Sequence, residues 1–316
     1  MRFLRYIFVL CGILTLVVII VSGVIYYLIA NSLPDYSLQL KSNKISDNTE
    51  IIRDSYAIPH IYGTSDADVF FALGYAHAQD RLWQMVVKRR TVQGTLSELF
   101  GGKTVDSDIL MRTLNLYELA KMASNSLSQE SQKILEAYSN GVNMHLNSIV
   151  KKGLGRGSPE FFLFPPKVSP WKPYDSIAIL KLLAFQSTDK ALQEVIKTRL
   201  LMSNISAERL NDLFSEPPLI TFQESETSQL FLKDWDWYDK DRQKTLLQDD
   251  VASILLDLST TAEKISASNI FAVMPKRSAT NNTLAASDPH TELSAPSEYY
   301  LANLNLKNGP VIGATL

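Results

Sequence analysis

The residues best equipped for chemistry gather near the C-terminal end of the chain. From Ser266 the sequence reads Ser-Ala-Ser-Asn-Ile-Phe-Ala-Val-Met-Pro-Lys-Arg-Ser-Ala-Thr. It continues through Leu284-Ala285-Ala286-Ser287-Asp288-Pro289-His290 to Leu293-Ser294-Ala295-Pro296-Ser297. Apolar runs separated by a polar break predict a strand over 270–274, a turn over 275–282 and a second strand over 284–286. The result is a hairpin with a serine at its leading edge. Such a hydroxyl attacks a carbonyl only when a base takes its proton; inside a chain, with no amine beside it, it stays weak. Other chemistries are thinly provisioned. Cys11 is the single cysteine, which excludes an intramolecular disulfide framework and a Cys-cluster metal site. The four histidines, His60, His77, His145 and His290, leave few ways to build a zinc centre. Aspartates crowd residues 234–250, but without the ligand rhythm and central glycine of a calcium loop.

The elements that must carry this hairpin are mostly helical. The chain has 316 residues, with 31 Lys+Arg against 33 Asp+Glu and a formal net charge of −2. That balance argues against nucleic acid as the main partner. A hydrophobic fraction of 46% and a charged fraction of 20% are ordinary for globular protein and exclude wholesale disorder. Residues 50–62 read as extended structure, because Pro59 biases Ile58 away from helix. Ser65 and Asp68 resemble a capping box ahead of a helix over 66–90, where Val69, Leu73, Ala76, Leu82, Met85 and Val86 recur near helical spacing. Gly74 weakens that helix by ~1 kcal/mol relative to alanine. Two more helices are expected over 110–126 and 128–149, the second with an apolar stripe through Ile134, Leu135, Tyr138, Val142 and Leu146. A glycine- and proline-rich loop covers 153–173, with Phe161, Phe162 and Phe164 packing on the body. Helix returns over 175–202 and 207–214. Residues 217–267 read as an exposed linker with a short helix at 251–258.

The N-terminus carries an uncharged apolar run from Tyr6 to Ala30, behind Arg2 and Arg5. About 20 residues cross a bilayer core as a helix, so the run is long enough. The two arginines favour an inside N-terminus and place the rest of the chain outside the cytoplasm, although Lys41 and Lys44 on the far side weaken that signal. Ala30-Asn31-Ser32 leaves a second reading open, a cleaved signal peptide. Residues 31–48 are a polar tether.

Two blocks resemble the penicillin acylase family of N-terminal nucleophile hydrolases. The first is Ile52-Arg53-Asp54-Ser55-Tyr56-Ala57-Ile58-Pro59-His60-Ile61 with Gly74-Tyr75-Ala76-His77-Ala78-Gln79-Asp80-Arg81-Leu82-Trp83-Gln84-Met85, similar to the start of the family's α subunit. The second runs from Ser268-Asn269 through Arg277-Ser278-Ala279-Thr280, Asp288-Pro289-His290 and Leu293-Ser294-Ala295-Pro296 to Gly313-Ala314-Thr315, similar to the start of the β subunit. The resemblance divides the chain into an anchor or signal (1–30), the tether (31–48), an α-subunit-like region (49–216), a linker or spacer (217–267) and the start of a β subunit (268–316). It implies an α+β protein whose complete form is an αββα sandwich. It implies cleavage between Ala267 and Ser268, with Ser268 as nucleophile and its own freed α-amine as base. Asn269 would position the new terminus, and His290 would lie beside the nucleophile and tune proton transfer. The family also places a calcium-binding glutamate near Glu194; a solvated helix-face glutamate is the other reading. Thr188 and Ala184 fall near positions that shape the family's acyl pocket. His60 and His77 read as structural, packing around Arg53, Asp80 or Arg81.

By the same resemblance, the substrate is an N-acylated small molecule, of the β-lactam side-chain or acyl-homoserine lactone type, and no organic cofactor is needed. Phe271 stands where the family often has tryptophan, and Val273-Met274-Pro275-Lys276 replaces a commoner small-residue turn. The family's β subunit runs several hundred residues beyond a position equivalent to Leu316. The oxyanion-hole donors and most calcium ligands are expected there, so the remaining β-subunit sequence is needed for activity. The competing expectation is a truncated inactive remnant or a membrane-tethered binding module.

Overall fold

The computed structural model describes residues 2–151, 157–164, 168–186, 268–289 and 294–316. Helix α1 (Arg2–Ser32) holds the apolar run, and within it Arg5–Ser32 is long and apolar enough to cross a membrane, with its apolar side chains exposed and only Ser32 buried at its end. Its 28 residues reach ~42 Å at 1.5 Å per residue, more than a ~30 Å hydrocarbon core requires. The polar stretch that follows is not loose. Gln79 donates to the Asp35 carbonyl (3.1 Å), Tyr36 donates to Asp80 (3.0 Å), and the Ser46 amide donates to Asp68 (2.8 Å).

The extended structure expected over 50–62 is two strands, β1 (Glu50–Arg53) and β2 (Pro59–Tyr62), paired as an antiparallel hairpin. Helix α2 (Asp66–Gln93) opens at Ser65, whose hydroxyl accepts from the Asp68 amide, and closes at Gly94 in the left-handed region (φ 64). It is kinked at Arg81, whose φ of −133 and ψ of 16 leave the helical range. Helix α3 (Ser97–Phe100) and a 3-10 turn lead to α4 (Val105–Leu114) and α5 (Leu116–Asn125). The single helix expected over 110–126 is therefore two. Asn115 sits between them at φ 55, a conformation that asparagine tolerates better than most side chains and that no continuous helix admits. Helix α6 (Gln129–Lys151), short α7 (Glu160–Leu163) and α8 (Pro173–Gln186) complete the helical layer. Within the expected 153–173 loop, Phe161 is buried and Phe164 stacks on Trp83. The expected helices beyond residue 186 and the 217–267 linker lie outside the described residues.

Near the C-terminus come β3 (Ser268–Val273), β4 (Leu284–Pro289), β5 (Tyr300–Leu306) and β6 (Gly309–Thr315). One sheet has the order β1-β2-β5-β6; β3 and β4 form a separate two-stranded sheet. The β2–β5 pair is parallel, so the intervening chain makes one long crossover, and α2 packs on the sheet through it. Ile61, Val69, Ala72, Leu73, Ala302 and Leu304 fill that interface.

Glycine lets α2 and α6 meet backbone to backbone. A Cβ on Gly74 would lie 2.1 Å from the Tyr138 carbonyl oxygen, and one on Gly141 would lie 1.9 Å from the Phe71 carbonyl oxygen. By propensity alone Gly74 is a loss; in the folded chain it is a packing requirement. Gly141→Ala would gain ~1 kcal/mol in helix propensity. It is nevertheless expected to destabilise the protein by about 1–3 kcal/mol net, because the helices must separate. The urea midpoint reads the sign directly.

Candidate active site

Ser268 is the first residue of β3. Antiparallel register sets it opposite Pro289, and Asn269 opposite Asp288. Pro289 immediately precedes His290 in sequence. Ala267, His290, Glu194 and Thr188 lie outside the described residues, and Ala184 is exposed on α8. The hairpin presents apolar side chains to solvent, with Ile270 80% and Phe271 62% exposed. An isolated two-stranded hairpin is marginal in water, and faces like these ordinarily pack against more sheet.

The α- and β-like blocks meet at a polar cluster that neither block reveals alone. The Arg53 guanidinium from β1 pairs with Asp80 from α2 at 2.8 Å and donates to the Tyr300 hydroxyl at 3.2 Å and to Gln79 at 3.1 Å. Tyr300 on β5 donates to the same Asp80 carboxylate at 2.5 Å, and its other oxygen accepts from Tyr36. The guanidinium also lies 4.1 Å from the Tyr36 ring centroid. Burial, reinforced by the adjacent carboxylate, pushes the Tyr300 phenol well above its ordinary range, so it stays a donor. Sequence reasoning named Arg53 and Asp80 only as packing partners and gave Tyr36 and Tyr300 no role. Nothing local signals these tyrosines, because their partners are distant in the chain.

His77 is structural, as expected, but its bonds go elsewhere. Nδ1 is 2.8 Å from the Tyr138 hydroxyl and Nε2 is 2.8 Å from the Thr315 hydroxyl. Thr315 donates its single proton to the Tyr300 carbonyl. It must therefore accept from Nε2–H, which leaves Nδ1 to accept from Tyr138. Burial, with a smaller push from Arg81, lowers the His77 pKa from 6.5 to about 3. His60 is likewise structural, but it bonds Asp54 (3.4 Å) and Asn303 (3.0 Å) rather than Arg53, Asp80 or Arg81.

The buried imidazole gives a pH prediction. Below its ordinary pKa the unfolded chain binds a proton on His77 that the folded chain refuses, down to about pH 3. This contribution to stability is complete above pH 6.5 and is lost as pH falls, by up to about 1.4 kcal/mol per pH unit. Urea midpoints measured from neutral to acid pH should show that slope, and His77→Gln should flatten it.

A cavity of about 230 Å³ opens beside His77, among Leu73, Met85, Leu135, Trp171 and Ile179. Among the described residues, none of the Ser268 hairpin lines it. Among the described residues no group of three or more His, Cys, Asp or Glu side chains could hold a metal ion.

Comparison with known proteins gives these features a family. The penicillin amidase family model matches residues 48–316. The chain belongs to the penicillin amidase family, whose relatives here are hydrolases of carbon–nitrogen bonds in amides. Penicillin acylase 2 proenzyme of Pseudomonas sp. (strain SE83) is 28% identical over 90% of this chain and 35% of its own length. Acyl-homoserine lactone acylase QuiP of Pseudomonas fluorescens (strain Pf0-1) is 30% identical over 86% of this chain and 32% of its own. The chain thus spans about a third of the length of these relatives. Among solved structures, thermostable penicillin G acylase from Alcaligenes faecalis aligns with a TM-score of 0.43 and 26% identity, over 57% of this chain and 94% of that one.

Proposed function

We propose that this chain is part of an acylase that hydrolyses the linear amide of N-acylated small molecules through an acyl-serine intermediate at Ser268. The observation that carries this reading is the family match, which extends from residue 48 to residue 316 and so takes in Ala267 and Ser268. The name of the Pseudomonas sp. relative, a proenzyme, agrees with a precursor that must be cut. Cleavage between Ala267 and Ser268 frees an α-amine with a pKa of ~7.7–8.0, suited to general base catalysis near neutral pH. That amine takes the Ser268 hydroxyl proton as the oxygen attacks the amide carbonyl carbon. The tetrahedral adduct collapses, the carbon–nitrogen bond breaks, and the proton passes to the leaving amine. Water, deprotonated by the same base, then opens the ester to give a carboxylate and restore the serine. Asn269 and His290 hold the new terminus in this scheme.

The relatives act, by their names, on penicillin and on acyl-homoserine lactones. Substrates of these two types are therefore proposed here. The complete protein would be an αββα sandwich held to the inner membrane by α1, with its body on the periplasmic or outer side. Calcium at Glu194 belongs to the proposal as a structural ion, and no chemical step passes through it. N-terminal sequencing of the purified mature polypeptides tests the reading. A chain beginning Ser-Asn-Ile-Phe is expected; active material in which that junction is uncut refutes the mechanism.

A further inference from the structure

We propose that the start of the tether, residues 33–40, is a seat lying in the interfacial layer of the bilayer, so that the body rests on the membrane surface. The inference depends on the anchor reading of α1 and adds a contact to it. A free tether from Ser32 to Glu50 could extend ~60 Å and let the body drift away from the lipid. The clamps forbid this. Gln79 holds the Asp35 carbonyl and Asp80 holds the Tyr36 hydroxyl, both on α2. Only the steps from Ser32 to Asp35 remain free, at most ~11 Å of chain. With Tyr26 and Tyr27 at the boundary, the helix carries Ser32 only ~8 Å further, so the leash keeps the docked face within ~19 Å of that boundary rather than the ~60 Å of a free tether.

The residues at that face suit the interface. Leu33, Tyr36, Leu38 and Leu40 are 69%, 53%, 44% and 41% exposed, an apolar set continuous with the end of the span. Tyr26 and Tyr27, exposed near the end of α1, match the aromatic belt that marks a membrane–water boundary. Lys41 and Lys44 follow, both exposed, with stems long enough to keep their charges among phosphates. The Asp35 carboxylate accepts from the Ser37 amide at 2.9 Å and hydroxyl at 2.6 Å. Apolar side chains sunk ~5–10 Å into the boundary are how interfacial segments bind.

The test uses the full chain in phosphatidylcholine–phosphatidylglycerol vesicles, with Cys11→Ser removing the native thiol. Bimane is attached at Leu38→Cys, at Leu40→Cys, or at Met122→Cys, an exposed control on α5. All three positions are solvent-facing, and circular dichroism confirms the fold. Brominated lipid is expected to quench most of the fluorescence at 38 and 40 and little at 122. A chain that floats with the vesicles, yet shows no more quenching at 38 and 40 than at 122, overturns the seat and leaves the anchor standing. A chain that does not float removes the anchor and the seat together. A Tyr36→Phe, Gln79→Leu double variant loosens the leash, and quenching at 40 should fall.

Discussion

Ser268→Ala is expected to leave the junction after Ala267 uncut and to lower amide hydrolysis by roughly 10⁴-fold or more. Both effects follow from one missing atom. In the proposed scheme the same Oγ attacks its own upstream carbonyl during maturation and the substrate carbonyl in turnover. Alanine fits the first position of β3 without disturbing the backbone pairing of 268 with 289, so loss of fold does not account for the result. Ser268→Cys separates the two roles, since a thiolate is a strong nucleophile but a different leaving group. Intact mass and terminal sequencing read the cut; release of amine from an N-acyl substrate reads the turnover. An alanine variant that is still processed and still active would end the case for Ser268.

Asp80→Ala should be the most damaging substitution outside that strand, at about 3–5 kcal/mol of stability. The carboxylate balances Arg53 and accepts from Tyr36 and Tyr300, and the ion pair is largely shielded, with side-chain exposures of 10% and 13%. Removing it strands a positive charge and two hydroxyl donors at once. The cost comes from the groups left behind rather than from the net value of the pair. Arg53→Met in the same chain should therefore recover part of the loss. Urea unfolding of Asp80→Ala, Tyr300→Phe and the double variant gives their coupling energy, and additivity would show that the two side chains act independently. The cluster joins residues on both sides of the proposed cut, so the same variants should weaken retention of the C-terminal polypeptide after processing.

Much of this was readable from residue order alone. The apolar N-terminal run, the extended structure near residues 50–62, the hairpin near 268–289, the Ser65 cap and the long helix after it all follow from periodicity, caps and turn residues. Each is a local property, governed by neighbours a few positions away. The candidate chemistry was local in the same sense, because a serine at a strand start and an Asp-Pro-His run are contiguous motifs. What could not be read were contacts between distant segments. Asn115 broke one expected helix into two through a backbone angle that its identity permits but does not demand. Gly74 changed from a propensity defect to a necessity only when Tyr138 was found 2.1 Å from where its Cβ would stand. His77 received its tautomer from Tyr138 and Thr315 and its depressed pKa from burial, with a smaller push from Arg81, and Asp80 gathered Tyr36, Arg53 and Tyr300 from three other segments. Burial and pairing depend on which surfaces the crossover brings together, and sequence spacing carries no measure of that. Contiguous motifs therefore pointed to the family, which the family match bears out, and to the serine proposed as nucleophile. The packing of α2 against α6 and the sheet established which polar side chains are shielded and which charges are paired.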